Sequence, residues 1–244
     1  MNEYAQEVIC LIHAALSLLR RDTVSNADMI YPLQRGQTDI LKADEDGVLF
    51  IDKVSRICFA ALPDTEGSVS KLMAVTGVNG FAIHGAALAE RFSRLVRMDV
   101  SIPYVTSVYT GKTAPSVPRV CSVKTLTEET MEEMLSLIPV KNPALLRAYA
   151  KEGLVRGATI TDEPVGFISL LPQGGMGMLH VREGFRRRGI GEVLEAQCIK
   201  ELLSKGITPY GLVPEQDAPA RDMSAQLGCE TGETPIIMLY RKDI

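Results

Sequence analysis

The spacing of apolar residues divides the N-terminal part of the chain into helical and strand-like segments. A broad apolar stripe at helical spacing predicts a first helix, and Arg20 with Arg21 favour its C-terminal end. Two short apolar runs on either side of the acidic turn 44–46 predict a β-hairpin. In chain order, the pattern predicts a helix over 7–19, strands over 39–41, 47–51 and 57–62, a helix over 82–97 and a strand over 103–109. These elements predict a small mixed α/β domain.

In the C-terminal half, residues that typically start or end a helix occur more regularly. Asn142 and Pro143 are typical of a helix start, while Gly153 and Gly206 are typical of helix ends. In chain order, the pattern predicts a strand over 120–126, helices over 127–138 and 142–153, strands over 155–161, 165–171 and 178–181, a helix from 191 to 205, a strand over 207–213, a helix over 217–227 and a strand over 235–240. Strands and helices alternate as in an α/β protein.

Residues 111–118 combine glycine, two prolines and small polar residues, which is typical of a domain boundary. We therefore expect an N-terminal mixed α/β domain over residues 1–114, a linker over 115–119 and a second domain over 120–244. No motif assigns a role to the N-terminal domain. It is a candidate for covering an acceptor substrate, for a degenerate copy of the second domain, or for a homodimer surface.

Composition narrows the classes of partner. The chain has 244 residues, of which 46% are apolar, and its formal net charge is -4. Nucleic-acid-binding proteins usually carry a broad basic surface, and single-strand binders add aromatic platforms. Aromatic residues make up 5% of this chain and tryptophan is absent, so nucleic acid is not an expected partner.

The cysteines and the apolar runs bear on compartment and metal. The five cysteines are scattered without the close pairing of zinc or redox motifs, and His13 and His84 have no neighbours at ligand spacing. No apolar stretch reaches the length of a membrane span, and the start lacks the basic region of a signal peptide. We expect a cytoplasmic protein with reduced thiols, no metal and no membrane partner.

The run from Arg186 to Gly191 carries the clearest chemistry, because it lies between a predicted strand and a predicted helix. The first backbone N–H groups of a helix have no acceptor within it, and the helix dipole adds partial positive charge there. Gly189 and Gly191 allow close approach to these amides, and Arg186, Arg187 and Arg188 add charge. The run is therefore a candidate phosphate site.

The second half of the chain resembles the GNAT superfamily of acyl-CoA-dependent N-acyltransferases. Residues 186–191 fit its Arg/Gln-x-x-Gly-x-Gly/Ala signature, after a strand with Leu179 and Val181 at the usual offset. A second signature is matched by Val213, Asp217, Ala220, Met223, Leu227 and Gly228. Asp217 stands where the family usually has Asn, and Ser224 where it usually has Tyr.

The resemblance implies a mixed, splayed β-sheet flanked by helices, with acetyl-CoA as the donor. The amide-bearing pantetheine arm would pair with the strand of Leu179, His180 and Val181, and the amides from Arg187 to Gly191, Ile190 included, would hold the pyrophosphate. Arg186 stands at the Arg/Gln position of the first signature. Asp217 is a candidate donor contact, although Asp at that position is explained at least as well by an N-cap.

Catalysis is less well defined by the resemblance. His180 is a candidate base or proton relay, with a structural histidine as the alternative reading. Glu183 is a second candidate base, with a solvated turn residue as its alternative. Ser224 takes the place of the tyrosine that protonates the thiolate in many relatives, and a serine hydroxyl is a weaker acid.

The function that the sequence predicts is transfer of an acetyl or other short acyl group from acyl-CoA to a primary amine of a small molecule or peptide. The alternative is a non-catalytic acyl-CoA-binding or interaction module, which Ser224 favours. A nucleotide-phosphate enzyme would need a Walker Lys-Ser/Thr after the glycines, whereas Glu192 follows Gly191.

Overall fold

The chain folds into two compact units that are interleaved in sequence. The computed structural model describes residues 3–241, with side chains from residue 6 onward. Unit 1 contains the residues up to Ser107, residues 212–218 and those from Thr231 onward. Unit 2 contains residues 108–211 and 219–230. Each unit is described by itself below.

The helices and strands alternate along the described residues. The helices are α1 (Glu3–Leu19), α2 (Ala27–Gln34), α3 (Glu66–Met73), α4 (Ala86–Leu95), α5 (Glu128–Leu137), α6 (Pro143–Lys151), α7 (Ile190–Ser204) and α8 (Ala218–Gln226). The strands are β1 (Thr38–Asp44), β2 (Gly47–Asp52), β3 (Ile57–Ala61), β4 (Gly80–His84), β5 (Val100–Tyr109), β6 (Ser122–Thr125), β7 (Val155–Ile160), β8 (Glu163–Leu170), β9 (Met176–Val181), β10 (Tyr210–Pro214), β11 (Cys229–Thr231) and β12 (Ile236–Tyr240).

Unit 1 is a mixed sheet with helices on both faces, in the order β1-β2-β3-β4-β12-β5. The predicted hairpin is confirmed as the antiparallel pair β1 and β2, while β3 and β4 run parallel. Alternate residues of β2 face opposite sides: Leu49 and Ile51 pack with α3 and α4, and Val48 and Phe50 pack with α1 and α2. Both faces of the sheet are therefore covered.

The predicted helix over 82–97 is wrong at its N-terminal end. Residues 80–84 form β4, and the helix begins only at Ala86, after Gly85 with φ +96°. All five residues of β4 are buried, and a continuous apolar run of this kind does not show the alternation that marks a half-buried strand. The helices α2 and α3 were not predicted either. α2 contains Pro32 as its sixth residue, and a proline inside a helix removes a backbone donor, which disfavours a helix prediction for this segment.

Unit 2 has the strand order β9-β8-β7-β6, in which successive strands are antiparallel, and the first two residues of β10, Tyr210 and Gly211, lie in the same unit. α7 packs on one face through Ile190, Leu194 and Ile199. α5 and α6 pack on the other face through residues such as Met131 and Leu146, against Phe167 of β8. The predicted helices and strands of the second half are confirmed in type and order, although β10 begins later than residue 207 and the short strand β11 is not among the predicted elements.

The parallel strands β9 and β10 are joined by a single register pair, Gly211 with Met176. From residue 177 onward, β9 has a recorded partner strand within unit 2 only on its β8 side. Residues 212–214 of β10 belong to unit 1. Within unit 2, one edge of β9 therefore has backbone groups that no neighbouring strand of that unit uses.

Both units combine separate segments of the chain, and the domains over 1–114 and 120–244 stay predictions. β12 lies in unit 1 between β4 and β5, although it follows unit 2 along the chain. The predicted fold class, a mixed α/β protein with a mixed sheet flanked by helices, is confirmed. The linker over 115–119 stays a prediction.

Candidate functional site

The strand β9 contains a bulge in its middle. Phe167 of β8 is opposite His180 and Ser169 is opposite Gly177, so that Met178 and Leu179 together face one residue of β8. Met178 has φ +56°, a left-handed conformation that is uncommon for a residue with a side chain. Bulges of this kind bend a strand and redirect its side chains, and they are frequent next to functional sites.

The side chains after the bulge point to alternate faces. Leu179 and Val181 pack against the core formed with α7. The His180 ring lies parallel to the ring of Phe167, with centroids 5.2 Å apart, on the opposite face. Nδ1 of His180 is 3.3 Å from the carbonyl oxygen of Met178. Because that oxygen can only accept, Nδ1 carries the hydrogen in this contact, and the neutral form of the ring then has its lone pair on Nε2.

The loop between β9 and α7 is shaped by two left-handed residues. A short 3-10 turn over Glu183–Phe185 is followed by Arg187 with φ +61° and Gly189 with φ +80°. Nε of Arg186 donates to the carbonyl oxygen of Val181 at 3.0 Å, which ties the loop to the end of β9. Arg188 lies 5.2 Å from the centroid of the Phe185 ring. All three arginines from 186 to 188 are exposed.

The start of α7 presents a row of backbone donors. Among the described residues, the N–H groups from Arg187 to Glu192 have no hydrogen-bond acceptor, and the first that has one is Val193, which donates to Gly189 at 3.1 Å. Free amides at the start of a long helix, beside exposed guanidinium groups, favour an anion. The structure therefore brings the predicted phosphate-binding residues together in one loop.

The two glycines of the loop are required for different reasons. Gly189 needs its left-handed backbone, because an added Cβ has ordinary contacts only. At Gly191 an added Cβ would lie 2.9 Å from Sδ of Met223 and 3.5 Å from Cδ2 of Leu179. Gly191 thus allows α8 and β9 to pack closely on the first turn of α7. Its role in approach to a phosphate stays a prediction.

Glu195 of α7 is a buried carboxyl group that no motif in the sequence marks. The side chain of Glu195 on α7 accepts a hydrogen bond of 3.0 Å from Oγ of Ser224, and Sγ of Cys229 is 4.0 Å from the same oxygen. Glu195 is 6% exposed and Ser224 is 4% exposed. Burial raises the pKa of Glu195 to about 7, an increase that the hydrogen bond from Ser224 partly offsets.

The other predicted residues are placed differently. Glu183 is exposed on the 3-10 turn, and its carbonyl accepts from the backbone N–H of Arg186. Asp217 directly precedes α8, the position expected of an N-cap, and it belongs to unit 1 whereas the β9–α7 loop belongs to unit 2. Ser224 is turned toward Glu195. Of the three catalytic candidates, His180 is the one that lies on β9 itself.

Two further features of the described residues bear on the class of protein. Residues 3–241 contain no group of three or more His, Cys, Asp or Glu side chains that could hold a metal ion. No helix of that part of the chain is long and apolar enough to cross a membrane.

A mixed sheet flanked by helices, with the bulged strand β9 and a Gly/Arg loop before α7, is the arrangement of the GNAT fold. Comparison with known proteins agrees with this class: residues 152–235 match the model of the GNAT-related family described as FR47-like protein. That segment contains β9, the loop, α7 and α8. No curated protein matches the chain in sequence.

Solved structures with the same fold cover nearly the whole chain. A Drosophila protein has a TM-score of 0.69 and 14% sequence identity, covering 98% of this chain and 97% of that chain. A GCN5-related N-acetyltransferase from Kribbella flavida has a TM-score of 0.56 and 12% identity, with coverage of 90% and 96%. A GNAT-family acetyltransferase from Colwellia psychrerythraea has a TM-score of 0.53 and 12% identity, with coverage of 84% of each chain. The chain therefore has the GNAT fold, which these likenesses establish at the level of fold.

Proposed function

We propose that the protein is an N-acyltransferase that passes an acetyl or other short acyl group from acyl-CoA to a primary amine of a small molecule or peptide. The observation that carries the proposal is the row of unpartnered amides from Arg187 to Glu192, directly after a strand with a free edge. A pyrophosphate needs donors that converge on one loop, and an amide-bearing arm needs a strand edge. Both requirements fit residues of unit 2.

The residues that hold the donor follow from their chemistry. The loop amides and the guanidinium groups of Arg186 to Arg188 would bind the pyrophosphate, and the open edge of β9 at Leu179, His180 and Val181 would bind the pantetheine amides. Glu192 lies close to Gly189 and contributes negative charge at the same helix start. The positive charges of Arg186 to Arg188 offset the negative charge of Glu192, so that the loop still favours an anion.

The donor supplies a carbonyl carbon activated as a thioester. A backbone N–H on the free edge of β9 is suited to donate to the carbonyl oxygen, on which negative charge develops as the amine attacks. A new C–N bond forms, the C–S bond breaks, and the amine loses a proton. Nε2 of His180, which keeps its lone pair, is our candidate for accepting that proton.

Protonation of the leaving thiolate is assigned to solvent in this proposal. The hydroxyl of Ser224 donates to Glu195, and both groups are buried. A buried hydroxyl that already donates to a carboxyl group is poorly placed to donate to a thiolate as well. Glu183 remains a candidate for relaying the proton of the amine to solvent, because it is exposed on the turn next to β9.

A second function, a non-catalytic acyl-CoA-binding module, is supported by Ser224, which stands where the resemblance places a tyrosine and which donates to Glu195. One experiment separates the two functions. Purified protein is incubated with acetyl-CoA and a panel of amino acids, polyamines and peptides, and thiol release is recorded together with binding of coenzyme A. Turnover with at least one amine supports the enzyme, whereas tight binding without turnover supports the binding module.

A matched pair of variants tests the donor site within this experiment. Gly189→Val introduces a β-branched residue at a left-handed position of the loop, and it should weaken coenzyme A binding at least tenfold. Gly184→Ala is the control, because an added Cβ at Gly184 meets no atom within 4 Å and its φ is not left-handed. Equal affinity of the two variants for coenzyme A would exclude the loop as the pyrophosphate site.

A further inference from the structure

Unit 1 contains a cavity of about 340 Å³, formed by residues at the ends of α3, α4 and β12. Its floor is apolar and buried: Leu72, Phe81 and Phe92 line it, and the two phenylalanine rings lie 4.9 Å apart. A cavity of this size lies at the small end of the range for ligand sites.

The walls are apolar and adaptable, and the cavity opens to solvent. Val78, Val96 and Met98 line the walls and are only partly buried against the core of unit 1. Met73 lies at the mouth with 52% of its surface exposed. Exposed methionine beside an apolar cavity is typical of a surface that an apolar ligand covers, because the flexible thioether adjusts to its shape.

One charged residue lines the cavity in the part of the chain that the structure describes. This residue is Arg241, which is exposed directly after the end of β12. Thr76, also exposed at the rim, adds a hydroxyl donor. A guanidinium and a hydroxyl above an apolar floor form a fit for a molecule with an apolar tail and an anionic, oxygen-bearing head.

The dipoles of α3 and α4 disfavour an anionic head group. The size of this effect, compared with that of the guanidinium contact, decides which charge the site prefers. α3 and α4 both end at the cavity, and the C-terminal end of a helix disfavours an anion. The dipole effect at an exposed helix end is weaker than a charge-assisted hydrogen bond to guanidinium, and salt screens it. Arg241 therefore determines the sign of the head group.

We propose that this cavity binds an aliphatic carboxylate with a tail of about six to ten carbons, its head at Arg241 and Thr76 and its tail between Phe81, Phe92 and Met98. The length follows from the volume, since roughly ten groups the size of a water molecule fill such a space. The site lies wholly within unit 1, and it does not depend on the acyltransferase activity proposed for unit 2.

Calorimetry with the full chain, in the absence of acyl-CoA, tests the site with octanoate as the probe. Octanoate should bind saturably, and octanol and octylamine should each bind about tenfold more weakly because they lack the anionic head. Affinity should rise from hexanoate to decanoate and fall for longer chains. Absence of saturable octanoate binding up to millimolar concentration, or tighter binding of octylamine, would overturn the proposal.

Variants separate the head site from the tail site. Arg241→Gln should weaken octanoate binding about tenfold and leave octanol binding unchanged, while Val78→Trp should fill the cavity and weaken both ligands. Arg94→Gln is the control, since Arg94 is exposed on α4 and does not line the cavity. Circular dichroism establishes that each variant is folded. Octanoate affinity that is the same in wild type and Arg241→Gln would rule out the carboxylate assignment.

Discussion

The hydroxyl of Ser224 donates a hydrogen bond of 3.0 Å to the carboxyl group of Glu195, and both side chains are buried between α7 and α8. Ser224 thus has a structural partner of its own. The partner is a carboxyl group with a pKa of about 7, raised by burial. The protonation state of Glu195 therefore changes near neutral pH.

The stability of the protein should fall as pH rises from about 5 to 8. The folded state binds the Glu195 proton up to a pKa of about 7, whereas the unfolded chain releases it near 4.5. The stabilisation is complete below the unfolded pKa and is lost as pH rises through the folded pKa, at a cost of about 3 kcal/mol. Urea unfolding at a series of pH values measures this loss.

Glu195→Gln provides the comparison for that measurement. The amide keeps the shape and a hydrogen-bond acceptor but has no proton to lose, so its stability should vary much less over the same range. Glu133→Gln, at an exposed position of α5, should behave like the wild type. An unchanged pH slope in Glu195→Gln would mean that Glu195 is not the group that titrates.

Ser224→Ala should shift the same transition to higher pH. The serine hydrogen bond lowers the pKa of Glu195, so its removal favours the protonated form further. If solvent protonates the thiolate, the rate of thiol release in this variant should stay within about twofold of the wild type. A loss of about a hundredfold with coenzyme A binding intact would instead identify Ser224 as the proton donor.

Gly191→Ala should destabilise the protein through Met223. The added methyl group would lie 2.9 Å from Sδ, and overpacking of this kind costs about 1 kcal/mol where a flexible side chain can move. Met223→Ala in the same chain should relieve the contact. A double-mutant cycle on the free energy of unfolding would show coupling between the two positions, and additive effects would contradict the contact.

Gly189→Ala should cost about 1 kcal/mol for a separate reason. The residue has φ +80°, and a side chain in this region is strained. Asn tolerates the left-handed conformation better than Ala, so Gly189→Asn should recover part of the loss. Thermal unfolding of the three proteins measures the order Gly, Asn, Ala, and a variant Ala as stable as the wild type would show that the loop relaxes to another conformation.

His180→Phe should lower the rate of acyl transfer without weakening donor binding. The phenyl ring can keep the stacking on Phe167, whereas the lone pair of Nε2 is lost. Removal of a general base lowers kcat by about 10² to 10⁴. The separation of kcat from KM distinguishes this role from a structural one, in which kcat would remain near that of the wild type while stability falls.

The features that the sequence predicts are those that depend on residues close together in the chain. The loop from Arg186 to Gly191 is a run of consecutive residues, and its glycine and arginine pattern was sufficient to find the helix start. β4 was misread because its apolar residues are continuous, and the signal that was available was Gly85, which marks the junction of strand and helix.

Glu195 could not be assigned by the same reasoning. Its hydrogen-bond partner Ser224 is 29 residues away, and Cys229 is 34 residues away on another element. The cluster of Glu195, Ser224 and Cys229 forms because elements distant in sequence pack together. The spacing of residues within α7 does not indicate these contacts. One signal was present: Glu195 precedes Cys198 and Ile199 by three and four positions, which places it on the buried side of the helix.

The free edge of β9 and the unpartnered amides before α7 have a consequence for how this chain can diverge. A site built from main-chain groups is present whatever most of the side chains are, provided that the backbone keeps its path. Substitution can then change almost every contact residue while recognition persists, and only positions such as Gly189 and Gly191 resist replacement.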